Sequence, residues 1–276
     1  MRFASVIHDG QPVAVAVDGE SAIPLADIAE LGAHTPNELL RDPPLRRGAA
    51  FPLSEATLRP LVPRPGKVIC VGLNYKAHIE ETQRADSDYP VLFTKFATSL
   101  TGAYDAIACP PESEAIDYEG ELAVVIGART RRVDAADALE AVAGYTVAND
   151  VTMRDYQYRT HQWVQGKAWD ASTPLGPALV TPDEIPDPGA LTLRTLVNGE
   201  VVQESTTDLM IFPIPTLISV ISEFATLEAG DVILTGTPAG VGFRRDPKLL
   251  LGDGDVAVVE IDGVGRTENR FASEAT

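Results

Sequence analysis

Apolar and polar residues alternate along most of this chain, and the alternation predicts strands more often than helices. The opening RFASVIHDGQPVAVAVDGESAIPL holds short alternating runs broken at Asp9-Gly10 and Asp18-Gly19, dipeptides that favour hairpin turns. Asn198-Gly199 in LRTLVNGEVVQ and Asp262-Gly263 in DVAVVEIDGVGRTENRF predict two more hairpins. Helices are expected in PTLISVISEFATL, with Pro215 early and Gly230 beyond its end, and in DAADALEAVAG from about Asp134. MRDYQYRTHQ, directly after the strand YTVAND, and a short stretch from Pro36 to about Leu40 are further helix candidates. RDPPLRRGAAFPLSEATLRPLVPRPGK is rich in Pro and polar residues, as a linker or crossing segment would be. The boundary is therefore placed near residue 62, with a small N-terminal β domain and linker over 1–62 and a larger, β-rich region over 63–276. Strands and helices do not alternate regularly, which excludes a doubly wound parallel sheet and predicts an α+β, β-rich fold.

One strand breaks the pattern. AIDYEGELAVVIG carries Asp117, Glu119 and Glu121 at every second position, hence on one face. Tyr118, Gly120, Leu122, Val124 and Ile126 form the other face, and the acidic face turns apolar at Ala123 and Val125. Same-face neighbours sit roughly 7 Å apart, close enough to repel where water is scarce. A divalent cation would turn that repulsion into shared attraction, since hard cations such as Mg²⁺ prefer carboxylate oxygens and need few protein ligands. The third acid beside Glu119 and Glu121 is Asp117 or a distant one, and Asp150 is an attractive candidate because it ends an apolar strand where a helix is expected to begin.

Charge and composition narrow the partners. The net charge of −18, from 22 basic and 40 acidic residues, excludes a basic nucleic-acid-binding surface but leaves room for a local cationic site. Two cysteines, Cys70 and Cys109, provide neither a disulfide framework nor a zinc motif and read as core thiols. MRFASVIHDG lacks the apolar core of a secretory signal, and no run approaches the ~20 apolar residues of a membrane span. The expectation is a soluble, cytoplasmic protein.

Three further groups bear chemistry. His78 and Glu81 in GLNYKAHIEET share a helix face, so the carboxylate can orient the imidazole as a general base. Arg154 and Gln157 are likewise one turn apart, and Lys167 follows Gly166, where backbone can approach a ligand; Arg and Lys suit a carboxylate substrate. DVILTGTPAGVG is neither a P-loop nor a dinucleotide fingerprint, but its backbone amides and Thr237 suit a small oxyanion nest.

Taken in order, GLNYKAHIEE, PVLFTKFATSLTG, IDYEGELAVVIG, YTVANDVTMRDYQ, GKAWDASTPLGP, LVNGEVVQ and LTGTPAGVG resemble the fumarylacetoacetate hydrolase family, in particular short members acting on acylpyruvates and related 2-oxo acids. The resemblance covers roughly residues 66 to 271. It implies a mixed β-roll, a homodimer and a divalent metal, Mg²⁺ or Mn²⁺, held by Glu119, Glu121 and Asp150, with Asp117 outside the ligand set. It further implies a catalytic His78–Glu81 pair on a ligand-ordered lid, placed here over residues 76–90. Lys167 would add charge at the reacting oxygen, and Arg154, Gln157 and Thr237 would contact substrate. GKAWD departs from the family's usual GKSFD or GKSCD, so Ala168 and Trp169 are expected to reshape one pocket wall. The activity implied is C–C hydrolysis of a 2,4-dioxo acid, with His78 activating water. Decarboxylation of an oxaloacetate-like acid and isomerisation use the same enolate, and a non-catalytic binding module is the remaining alternative.

Overall fold

Turn chemistry sets the hairpins. At Asp9-Gly10 and Asn198-Gly199 both residues adopt positive φ, the geometry of two-residue turns whose twist matches the flanking strands. Arg2–His8 thereby folds back on Gln11–Asp18, and Thr192–Val197 on Glu200–Thr206. The computed structural model describes residues 1–82 and 87–274.

Two sheets dominate. The larger has 12 strands, and its main path runs Phe51–Pro52, Ser21–Pro24, Gln11–Asp18, Arg2–His8, Thr173–Val180, Val142–Asn149, Gly120–Ile126, Val232–Leu234, Val68–Gly72, Val91–Lys95. Neighbours on this path are antiparallel except Val232–Leu234 and Val68–Gly72, which run parallel. The second sheet has 5 strands, in the order Glu200–Thr206, Thr192–Val197, Val256–Ile261, Gly265–Ser273, Ile107–Cys109. The architecture is the α+β, β-rich mixed roll that the sequence resemblance implies. Residues 1–62 are hydrogen-bonded into the larger sheet, because Arg2 and Phe3 pair with Val180 and Leu179.

Gly120–Ile126 lies at the centre and is buried along its whole length. Leu122, Val124 and Ile126 enter one core with Leu217, Ile218 and Ile221 of the helix Ile214–Phe224. Ala123 and Val125 enter a second core with Phe3, Leu179 and Leu234. The two-faced reading of this strand is thus correct in its apolar half, but both faces are buried rather than one. The helix Ile214–Phe224 buries Ile214, Leu217, Ile218 and Ile221, spaced three and four apart as a core-facing stripe requires.

Two expected helices are shortened or replaced. From Asp134 onward there is only a 3₁₀ turn, Ala138–Ala141, and then the strand Val142–Asn149. That strand is paired on both sides, with Gly120–Ile126 and Thr173–Val180, and this pairing overrides the weak helical bias of an alanine-rich stretch. MRDYQYRTHQ yields one helical turn, Arg154–Gln157. Cys70 is a core thiol as expected, whereas Cys109 is only half-buried.

Candidate active site

The acidic strand is two strands. Ile116–Asp117 pairs with Thr152–Met153, while Gly120–Ile126 belongs to the large sheet, and Tyr118 and Glu119 form the bend between them. Register then brings the acids together. Gly120 lies opposite Asn149 and Glu121 opposite Ala148, so Asp150, one residue past its strand, falls beside Glu119. The Asp150 amide donates to the Glu119 carbonyl at 2.8 Å. Glu119, Glu121 and Asp150 are all buried, and each offers an oxygen within 4.8 Å of the others.

Cations surround two of the three. Lys167 Nζ lies 2.6 Å from Glu119 Oε2 and 2.8 Å from Asp150 Oδ2. Arg154 reaches Glu119 Oε1 at 2.6 Å through one terminal nitrogen, and the other donates to Gln157 Oε1 at 2.9 Å. Lys95 Nζ lies 2.8 Å from Asp150 Oδ1 and also donates to the Lys167 carbonyl. Burial alone would raise the Glu119 carboxyl, but Lys167 and Arg154 outweigh it and hold the group at about 2. The same contacts push Lys167 upward despite its burial.

Glu121 differs. It accepts the Gly236 amide at 2.7 Å and is paired with no cation among the described residues. Burial first, then Asp150 and Glu119, pushes its carboxyl well above the usual carboxylate range. An all-oxygen set with one carboxyl left this unfavourable fits a hard divalent cation. The residues therefore suit the metal that the sequence implies.

Asp117 is not part of this cluster. Its carboxylate accepts Arg154 Nε at 2.8 Å and the amides of Gly242 and Phe243 at 2.8 and 3.1 Å, so it anchors the arginine from behind. His78 and Glu81 sit on the helix Lys76–Thr82 with Nδ1 and Oε2 3.1 Å apart, and the Gly240 amide donates to Glu81 Oε1 at 3.0 Å. His78, Glu119, Arg154, Gln157, Lys167 and Thr237 line one cavity, closed on one side by Phe93 and Trp163.

The glycine-rich stretch holds acids of the protein itself. Its Gly236, Gly240 and Gly242 amides bind Glu121, Glu81 and Asp117. Thr237 Oγ1 accepts from Gln203 Nε2 at 2.9 Å. Gly166 also has a different use from the one expected. A side chain there would meet the Gln157 amide nitrogen at 2.5 Å, so its bareness lets two short helices touch. Ala168 and Trp169 do not line the cavity; the Trp169 indole packs edge-on against Tyr156 and donates to the Gln165 carbonyl. The wall tryptophan is Trp163. Residues 83–86 of the expected lid lie outside the described residues.

Lys95 and Asp117 are the participants that sequence reasoning did not assign. Lys95 lies in the quoted stretch PVLFTKFATSLTG, and its one signal was a lone lysine ending a run that proves to be a strand, Val91–Lys95.

The model described as fumarylacetoacetate (FAA) hydrolase C-terminal matches residues 67–272. The chain belongs to the fumarylacetoacetate hydrolase family. Within that family it is 48% identical over 221 residues to a protein of Rattus norvegicus named oxaloacetate tautomerase, mitochondrial, covering 80% of this chain and 71% of the relative. Its namesake in Homo sapiens is 48% identical over 222 residues, with coverage of 80% and 71%. Among solved structures, a fumarylacetoacetate hydrolase from Exiguobacterium antarcticum superposes with a TM-score of 0.88 at 36% identity, covering 99% of this chain and 100% of that one. A 2-hydroxyhepta-2,4-diene-1,7-dioate isomerase from Mycobacterium marinum gives 0.84 at 34% identity, covering 100% of both.

These relatives correct one expectation. The curated ones are mitochondrial proteins, which overturns the cytoplasmic location read from the sequence. That reading rested on the lack of an apolar leader, whereas mitochondrial targeting relies on amphipathic, arginine-rich segments. No helix among the described residues is long and apolar enough to cross a membrane.

Proposed function

We propose that this chain interconverts the enol and keto forms of a small 2-oxo acid of the oxaloacetate kind, using Mg²⁺ or Mn²⁺ held by Glu119, Glu121 and Asp150. The observation that carries the reading is the shared cavity. A carboxylate-oriented imidazole and a buried, charged lysine face one space beside the acidic triad. The tautomerase names of two relatives at 48% identity support it.

When bound, the ion acts as a Lewis acid that withdraws charge from the C2 oxygen of the acid. The protein's own groups do the rest. Glu81 accepts from Nδ1 of His78, leaving Nε2 free to carry a proton to or from C3. Ketonisation then moves one proton to C3 while the enol hydroxyl releases one to solvent, so the count balances. Lys167, fixed between Glu119 and Asp150, adds positive charge beside the oxygen that becomes anionic. Arg154 and Gln157 are linked to each other and shape the cavity floor, with Thr237 on the facing loop.

Hydrolysis of a 2,4-dioxo acid is the second reading. The His78–Glu81 pair favours it, because the same Nε2 is suited to deprotonating water. Oxaloacetate, acetylpyruvate and fumarylpyruvate assayed side by side with Mg²⁺ separate the two. The expected outcome is accelerated loss of enol absorbance from oxaloacetate without matching release of pyruvate, and a fall of about 10²-fold in His78→Ala. Cleavage of the acylpyruvates with no effect on the oxaloacetate enol would establish the hydrolase instead. Pyruvate released from oxaloacetate at the rate of enol loss would establish a decarboxylase.

A further inference from the structure

Three cationic side chains line the cavity: Lys167, Arg154 and Arg244. The first two are committed to Glu119, Asp150 and Asp117. Arg244 is not. In a chain with 40 acidic residues, no carboxylate lies within ion-pair reach of it among the described residues. Its guanidinium carbon instead lies 5.9 Å from the Tyr158 ring centroid and 5.8 Å from that of Phe243. Those rings are 5.6 Å apart and form one rim of the cavity.

The backbone beneath Arg244 is fixed. It ends the 3₁₀ turn Gly242–Arg244, and the amides of the two preceding residues both bind buried Asp117. An exposed guanidinium on an anchored turn, flanked by aromatic faces, is a fork that keeps its donors available. Lys248 Nζ, 3.8 Å from the Phe243 ring centroid, adds a second positive charge at the same rim.

We propose that Arg244 is a specificity-determining residue that receives the far carboxylate of a 2-oxo diacid whose 2-oxo end lies at the acidic triad. This rests on the reading that the site takes a 2-oxo acid. A diacid gains a charge-assisted, bidentate contact at the rim, and an acid with a neutral or absent tail gains nothing there. The cavity then sorts substrates by what lies beyond C3, while the triad, Lys167 and His78 treat them alike.

Binding tests this apart from turnover. The probes are 3,3-difluorooxaloacetate, which lacks the C3 hydrogens that enolisation needs, and pyruvate, which lacks the far carboxylate. Each is titrated calorimetrically with Mg²⁺ into wild type, Arg244→Met and Arg244→Lys. Because each acid is compared across proteins, its own hydration cancels. Arg244→Met is expected to weaken the diacid by about 10-fold or more and to leave pyruvate within about 3-fold, with Arg244→Lys between. An equal effect on both acids, no effect on the diacid, or no binding of the diacid to wild type overturns the proposal. If the diacid contact is lost as expected but wild type changes neither oxaloacetate nor acylpyruvates, the activity reading fails and the role of Arg244 stands.

Discussion

At the scale of single residues, the three acids of the triad are not equivalent, and their removal should have opposite effects. Glu119 is held by two cations, so Glu119→Ala leaves Lys167 with Asp150 and Arg154 with Asp117 as their remaining carboxylates, and should cost about 3 kcal/mol, the low end for breaking a buried pair. Glu121 has a single amide partner, so Glu121→Gln should leave or raise Tm without metal while abolishing stabilisation by Mg²⁺. Thermal melts with Mg²⁺ and with chelator check both. Linkage gives the pH dependence. The Glu119 carboxyl drops from an ordinary 4.5 to about 2, so its contribution is full above about 4.5 and is lost as pH falls towards 2. The raised Glu121 carboxyl works the other way: its contribution is present below about 4.5 and is lost as pH rises. Chelated wild type should therefore lose stability as pH increases from about 5, and Glu121→Gln should flatten that slope. A steep slope retained in the variant would place the effect elsewhere.

At the scale of elements, the hairpins were legible because Asp-Gly and Asn-Gly dipeptides act within four residues. The helix Ile214–Phe224 was legible because its apolar spacing is local too. The bend at Tyr118 and Glu119 was not, since alternation continues through it and only pairing with two different partners breaks the strand. The helix expected from Asp134 stops for a related reason: from Val142 onward the chain is paired between two strands, leaving only the 3₁₀ turn Ala138–Ala141 before it. Among site residues, polar side chains with a one-turn spacing could be read as pairs, as for His78 with Glu81 and Arg154 with Gln157. Lys95 could not, because it meets Asp150 only after the sheet has folded. The helix Lys76–Thr82 is joined to the facing loop through Glu81 and the Gly240 amide. Gly240 has φ of +106°, and a side chain there would collide with the Val202 carbonyl. Gly240→Ala should thus release that helix, raising hydrogen exchange over residues 76–82 and lowering turnover, while Mg²⁺ still stabilises the protein. Unchanged exchange would mean that the helix is held by its other contacts.

At the scale of the whole molecule, we propose that the chain divides near residue 62, since every site residue lies beyond it and the family match begins at residue 67. The N-terminal unit covers the strand Thr173–Val180, and Phe3, Leu61 and Val62 are fully packed in the shared core. Deleting residues 1–62 should expose that strand edge and yield insoluble protein; a soluble, metal-stabilised 63–276 fragment would show that the cover is dispensable. The homodimer implied by the resemblance is proposed on similar grounds, with exposed Phe96 and Phe224 beside the outermost strand Val91–Lys95, and light scattering in solution tests it. The glycine-rich stretch gives the molecule a constraint of another kind. Gly236, Gly240 and Gly242 reach acids on three elements, the helix Lys76–Thr82 and the strands Ile116–Asp117 and Gly120–Ile126. Inserting or deleting one residue between them would pull the triad, the imidazole's partner and the arginine's anchor out of alignment at once. Side chains around the rim can therefore be exchanged without disturbing that alignment, whereas the length of this stretch is set by three amide-to-acid distances.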